Sequence, residues 1–207
     1  MAFSYKIDSA SSFRPPGHRS LAVVTRRILA CAASFLPLLI HLPALAQSPP
    51  DESHVKAAFV FHFAQLVDWP PEVLGPPNRP MNFCVVGEDS MDGVLESTVR
   101  GKLIGNHPIF IRHLQEKDDG SGCHLLFLAV KDKKRAAAIL AGLKAAPILT
   151  VGESEDFAPN GGMIGLSLQE NKIRFDINLR VAQHANLKIS SRLLLLAKNV
   201  ISDGRQG

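Results

Sequence analysis

"CHLLFLAVKDKKRAAAILAGLKAAPILTVG", residues 123–152, decides the fold. Its first eight residues are apolar almost without interruption, the pattern of a strand buried on both faces. Residues 132–146 then gather charge in "DKKR" and place Ile139, Leu140 and Leu143 at helical spacing behind a run of alanines, which reads as an amphipathic helix. Pro147 breaks that helix, and "PILTVG" is a second buried strand. Two continuously apolar strands joined through a helix form a parallel crossover unit.

The same grammar extends in both directions. Upstream, "MNFCVVG" (81–87) reads as a strand, "EDSMDGVLESTVRG" (88–101) as a helix capped near Ser90 and ended by Gly101, and "HPIFIRHL" (107–114) as a strand, with "DDGSG" (118–122) as a turn. Downstream, the polar loop "GESEDFAPN" leads into "GGMIGLSLQENKIRFDIN" (161–178), a hairpin turning on Gln169 to Asn171. A short helix over 179–186 follows, then a second helix from Ile189 capped at Ser190 or Ser191. The expected class is α/β: a single domain with a mixed, mostly parallel sheet flanked by helices and finished by a C-terminal hairpin and helix.

Alternation within the hairpin sorts its faces. Ile173, Phe175 and Ile177 alternate with Arg174, Asp176 and Asn178, giving one buried and one polar face. Arg174 and Asp176 can pair with each other or with a ligand carboxylate, the plainer alternative being a surface ion pair. With the glycine pair Gly161 and Gly162, and with Ser190, Ser191 and Arg192 at the start of the last helix, these residues are the recognition or ligand candidates.

"DESHVKAAFVFHFAQLVD" (51–68) reads as a helix that stops at Trp69-Pro70-Pro71, before a proline-rich loop over 72–80. Val55, Phe59, Phe63 and Leu66 form one stripe, and Ala58, Val60, Phe61, Ala64 and Val67 carry apolar surface around most of the circumference. Such a helix must be covered on more than one side. A subunit or partner contact at Val55, Phe59, Phe63, Leu66 and Trp69 is the expectation, and a central core helix the alternative.

Arg26 and Arg27 precede an apolar run that ends in Ala44-Leu45-Ala46, the pattern of a secretory signal cleaved before Gln47. Thr25-Arg26-Arg27 also admits a twin-arginine signal, so Sec and Tat export both stay open. The expected layout is a leader over 1–46, an exported domain over 47–203 and a loose tail over 204–207. Five of the 23 basic and one of the 19 acidic residues lie before Gln47, so the rest carries 18 of each and is neutral despite the whole chain's +4. Nucleic acid and an anionic membrane surface are therefore poor partner expectations, and with no stop-transfer segment downstream direct membrane insertion of the mature chain is not expected. Cys84 and Cys123 remain as an even pair; in an oxidising compartment they read as a disulfide, the alternative being two buried free thiols.

Catalytic signals are sparse. The carboxyl ends of the strands offer Glu88, Asp89 and Ser90 on one loop and Glu153 to Asp156 on another, where acids could converge on a substrate or simply be solvated. His54, His62, His107, His113, His124 and His184 never fall at zinc-motif spacing, and His62 reads as a packed or interface histidine. Neither a nucleophile elbow nor a phosphate or dinucleotide fingerprint is present, so no enzyme class, cofactor or metal is expected.

"VKAAFVFHFAQLVDWP", "FCVVGED", "CHLLFL", "ILTVGESEDFAPNGGMIGL" and "IRFDINLRVAQHANLKISSRLLLLAKNV" resemble, in order and spacing, the YfiR family of periplasmic proteins over about residues 53 to 200. The resemblance implies a dimeric periplasmic regulator that binds and represses an inner-membrane diguanylate cyclase of the GGDEF class, lowering cyclic-di-GMP. It also implies an OmpA-like outer-membrane lipoprotein able to sequester the repressor. Cys84 and Cys123 match in spacing a stabilising disulfide of that family; the cysteines for a second one are lacking. A small-ligand sensor using the strand-end loops, and a hydrolase using Glu88, Glu153 or Asp156, are the rival readings.

Overall fold

The computed structural model describes residues 51–87, 91, 93–118, 120–143 and 145–203. The leader, Glu88, Asp89, the Ser90 cap and the 204–207 tail lie outside the described residues. In chain order the elements are α1 (Glu52–Gln65), β1 (Val67–Asp68), α2 (Pro71–Leu74), β2 (Met81–Gly87), α3 (Val94–Val99), β3 (Leu103–Ile104), β4 (His107–Leu114) and β5 (Leu125–Ala129). They continue as α4 (Lys133–Gly142), β6 (Leu149–Gly152), β7 (Ile164–Gln169), β8 (Lys172–Asn178), α5 (Leu179–His184), β9 (Lys188–Ile189), α6 (Ser191–Leu196) and β10 (Asn199–Ile201).

The 123–152 stretch forms the crossover unit its pattern predicts. Asp132 caps α4, its carboxylate accepting from the amides of Lys134 and Arg135, and β5 and β6 lie side by side in parallel. Eight strands make one mixed, mostly parallel sheet in the order β10-β8-β7-β6-β5-β2-β4-β3. Antiparallel pairing enters only at β7–β8 and at β3–β4. The β7–β8 turn is Glu170-Asn171, both at positive φ (48° and 61°), the geometry a two-residue hairpin demands.

The sheet is covered unequally. On one face Phe83, Phe127, Leu149, Ile164 and Phe175 build the larger core with α1, α3 and the C-terminal elements. On the other, Val86, Leu126 and Leu128 meet α4 and Phe157 in a smaller core that also holds Cys84 and Cys123. The two cysteines are bonded, with Cα atoms 5.9 Å apart, because parallel β2 and β5 bring the start of each strand to the same end of the sheet.

Several boundaries differ from expectation. The first helix ends at Gln65, and Val67–Asp68 instead pairs antiparallel with Lys188–Ile189. The helix expected over 88–101 is α3, which begins at Val94, since Gly93 just before it is left-handed (φ 74°). The last helix is capped by Ser190 and ends at Leu196; Asn199–Ile201 then joins β8 as a parallel edge strand. These short strands are fixed by distant partners, which local periodicity does not contain.

Candidate recognition surface

The helix that looked too apolar for solitude is covered by its own chain. Ala57, Val60, Phe61, Phe63 and Ala64 of α1 are buried, and the helix packs against α3 and β8. Phe63 is 1% exposed and Trp69 6%, so these two are core residues and leave no surface for a partner, contrary to the sequence expectation. Phe63 lies 4.9 Å from the Phe175 ring of the hairpin, and Phe59 5.8 Å, so the aromatic stripe locks α1 to β8. The Trp69 indole N–H donates to the His124 carbonyl at 3.2 Å. Val55, Phe59 and Leu66 stay half-buried. His62, read as a packed or interface histidine, is exposed and contacts Gln65 at 2.9 Å.

The hairpin candidates divide into frame and face. Gly161 adopts φ 99°, which glycine permits, and Gly162 lies so close under Phe157 that a Cβ would sit within the ring. Gly152 meets the other side of the same ring. The glycine pair therefore wraps a loop around one buried aromatic. Asn178, 1% exposed, caps α5 by accepting from Val181 N–H at 3.1 Å while its amide donates to the Ala158 carbonyl at 2.8 Å. Ser190 caps α6, accepting from Leu193 N–H. Gly162 and Asn178 are thus buried, Ser190 is half-buried and Gly161 is exposed.

Arg174, Ser191 and Arg192 are exposed and Asp176 half-buried. The Arg174–Asp176 pair is not formed: Asp176 accepts from the Asn199 amide at 2.8 Å, because β10 docks Asn199 opposite it. Several exposed apolar side chains of these C-terminal elements were not among the candidate residues. Leu195 is 85% exposed and Leu196 69%, with Leu168 and Val200 also open. Lys198, two residues after Leu196, bonds to the hairpin through Phe175 O at 2.8 Å and Gln169 Oε1 at 2.7 Å. The signal was the four-leucine run of "SRLLLLAK", longer than a six-residue helix can bury on one side.

Among the described strand-end acids, Glu153 and Asp156 are each met by a lysine. Glu153 Oε1 is in charge contact with Lys56 Nζ at 2.9 Å, without hydrogen-bond alignment, and Asp156 pairs with Lys133. Lys56 also holds Glu52 at 2.6 Å. Burial alone would lower the Lys56 pKa, but the two carboxylates outweigh it and raise the ammonium above its ordinary value. At this end of the sheet the space between Leu128, Lys133, Glu153 and Phe157 is only about 60 Å³.

Among solved structures, a conserved domain protein from Vibrio cholerae O1 biovar El Tor str. N16961 superposes with a TM-score of 0.50 at 10% identity, over 72% of this chain and 60% of that one. An ABC domain in complex with L-Trp from Streptococcus pneumoniae gives 0.46 at 9% identity, over 69% and 60%. The chain thus spans about 60% of the length of each. At such identity the first likeness shows the fold alone. Residues 53–198 match the model of the YfiR/HmsC-like family, DUF4154, and the chain belongs to that family.

Proposed function

We propose that this protein is a periplasmic regulator that binds the periplasmic portion of an inner-membrane GGDEF diguanylate cyclase and represses it, so lowering cyclic-di-GMP. It works as a homodimer, and an OmpA-like outer-membrane lipoprotein can withdraw it from the cyclase. Family membership supports the regulatory class. The observation that carries a protein partner is the adjacent pair Leu195 and Leu196 at the end of α6, 85% and 69% exposed. Neighbouring large apolar residues left in water are a cost that a partner removes.

The test is co-purification of the full chain with the cyclase, together with cellular cyclic-di-GMP. Leu195→Glu with Leu196→Glu should leave melting within a few degrees of the parent, since both side chains are in solvent. It should abolish capture and raise cyclic-di-GMP. Normal capture and repression by that folded variant would overturn the assignment of the surface; absence of capture by the parent would overturn the partner.

A further inference from the structure

A cavity of about 360 Å³ opens at the amino end of β6, the end opposite the strand-end loops from which a ligand site was expected. It lies between the C-terminal end of α4, the starts of β6 and β7, and α5. Leu140, Leu143, Ile148, Met163 and Val181 make its walls apolar. Thr150, 2% exposed, is the buried polar group of the lining; its oxygen already accepts from Met163 N–H at 2.9 Å, which leaves the hydroxyl proton to donate. At the rim stand Arg180 and His184, one turn apart on the same side of α5 and both reaching solvent. No carboxylate lines the cavity among the described residues. Asp203 touches the Arg180 guanidinium at 3.5 Å, with most of its side chain in water.

We propose that this cavity is a binding site for a small monocarboxylate with an aliphatic or aromatic body. An apolar pocket of this size near the lower end of the range for small-molecule sites takes the body. The guanidinium supplies a planar pair of donors for the carboxylate, and His184 adds a donor beside it. A ligand with a cationic head is disfavoured by the same rim, and an uncharged one leaves the guanidinium without a new partner. Asp203 competes weakly for Arg180, so a carboxylate displaces a solvent-exposed contact rather than a buried one. The site does not rest on the cyclase reading, since its contacts are distinct from the Leu195–Leu196 corner.

Octanoate, with octanamide and 1-octanol as uncharged controls, tests it on the full chain by calorimetry and by chemical shifts of the Met163 and Val181 methyl groups. Octanoate should bind at least about tenfold tighter than octanamide, the margin a charge-assisted contact provides. Arg180→Gln should erase that margin while leaving octanol binding unchanged, and Asp203→Asn should tighten octanoate by freeing the guanidinium. Both changes are on the surface, so the variants fold. Equal affinity for octanoate and octanamide, octanoate binding indifferent to Arg180→Gln, or no methyl shifts with millimolar octanoate would each overturn the proposal.

Discussion

His124 joins several elements that are far apart in sequence. Its ring Nδ1 accepts from Asn82 N–H at 3.0 Å and its Nε2–H faces the Val73 carbonyl at 3.3 Å, so the neutral ring has both nitrogens occupied. Its backbone meets Asn82 O, Leu149 N–H and the Trp69 indole. A proton on Nδ1 would face an amide N–H, and burial, aided by Arg79 and His107, holds the ring's pKa below the ordinary 6.5. The unfolded chain takes up that proton near pH 6.5 while the folded chain does not. Stability is therefore full above that pH, falls as pH drops below it, and levels off under the depressed folded value. Thermal melting from pH 7.5 to 4.5 should show this slope, and His124→Gln, which keeps an acceptor for Asn82, should flatten it. An equal slope in both proteins would remove His124 as the cause. Nothing in "GCHLL" announced this role, because all of its partners are remote in sequence.

At the scale of elements, two ties decide how loops and helices sit on the sheet. The first is Phe157 over Gly152 and Gly162. Gly162→Ala places a methyl inside the ring's volume and should cost about 1–3 kcal/mol as an overpacking change, read by urea titration. Phe157→Leu should recover part of that loss in the double variant, since the two positions are in contact. Additive losses would show that the glycine serves something other than the ring. The second tie is Lys56, which anchors α1 to the end of β6 through Glu153. Both side chains are mostly out of water (15% and 19% exposed), so Glu153→Gln should cost between the roughly 1 kcal/mol ceiling of surface pairs and the roughly 3 kcal/mol of buried ones. Because the Lys56 pKa is raised, that contribution is complete below about pH 10.5 and fades as pH rises through the folded value. The loss measured at pH 7 should therefore shrink in strong alkali. The long strands, α4 and the hairpin were legible because each carries its own period, and so was the helical stripe that Phe59 and Phe63 share, which the sequence assigned to a subunit or partner contact. Their burial was not legible, since a helix apolar on all sides reads alike whether a sheet or a second protein covers it. The service of Gly162 to Phe157 was hidden for a related reason: a lone aromatic in a polar loop has no period to betray its partner.

For the whole molecule, the Cys84–Cys123 bond joins the middle of the sheet to itself. It links β2 to β5 across 39 residues of chain that contain α3, β3 and β4, so one covalent contact fastens the flank of the sheet to its centre. In the chain-entropy model, closing such a loop contributes about 4 kcal/mol, a large share of a small domain's stability. The cysteines are 0% and 5% exposed, which keeps a reductant out of the native state. Two consequences can be separated by experiment. Urea unfolding after reduction, or of Cys84→Ala with Cys123→Ala, should show a stability lower by about 4 kcal/mol, less whatever the smaller side chains lose or relieve in packing. Reduction of the folded protein by dithiothreitol should follow the rate of opening and saturate with reductant concentration, because the bond is reached only when the α4 side of the sheet parts from it. A rate that climbs linearly with dithiothreitol would mean that the bond is accessible in the native fold. A stability unchanged by its loss would mean that the β2–β4 flank is held by packing alone.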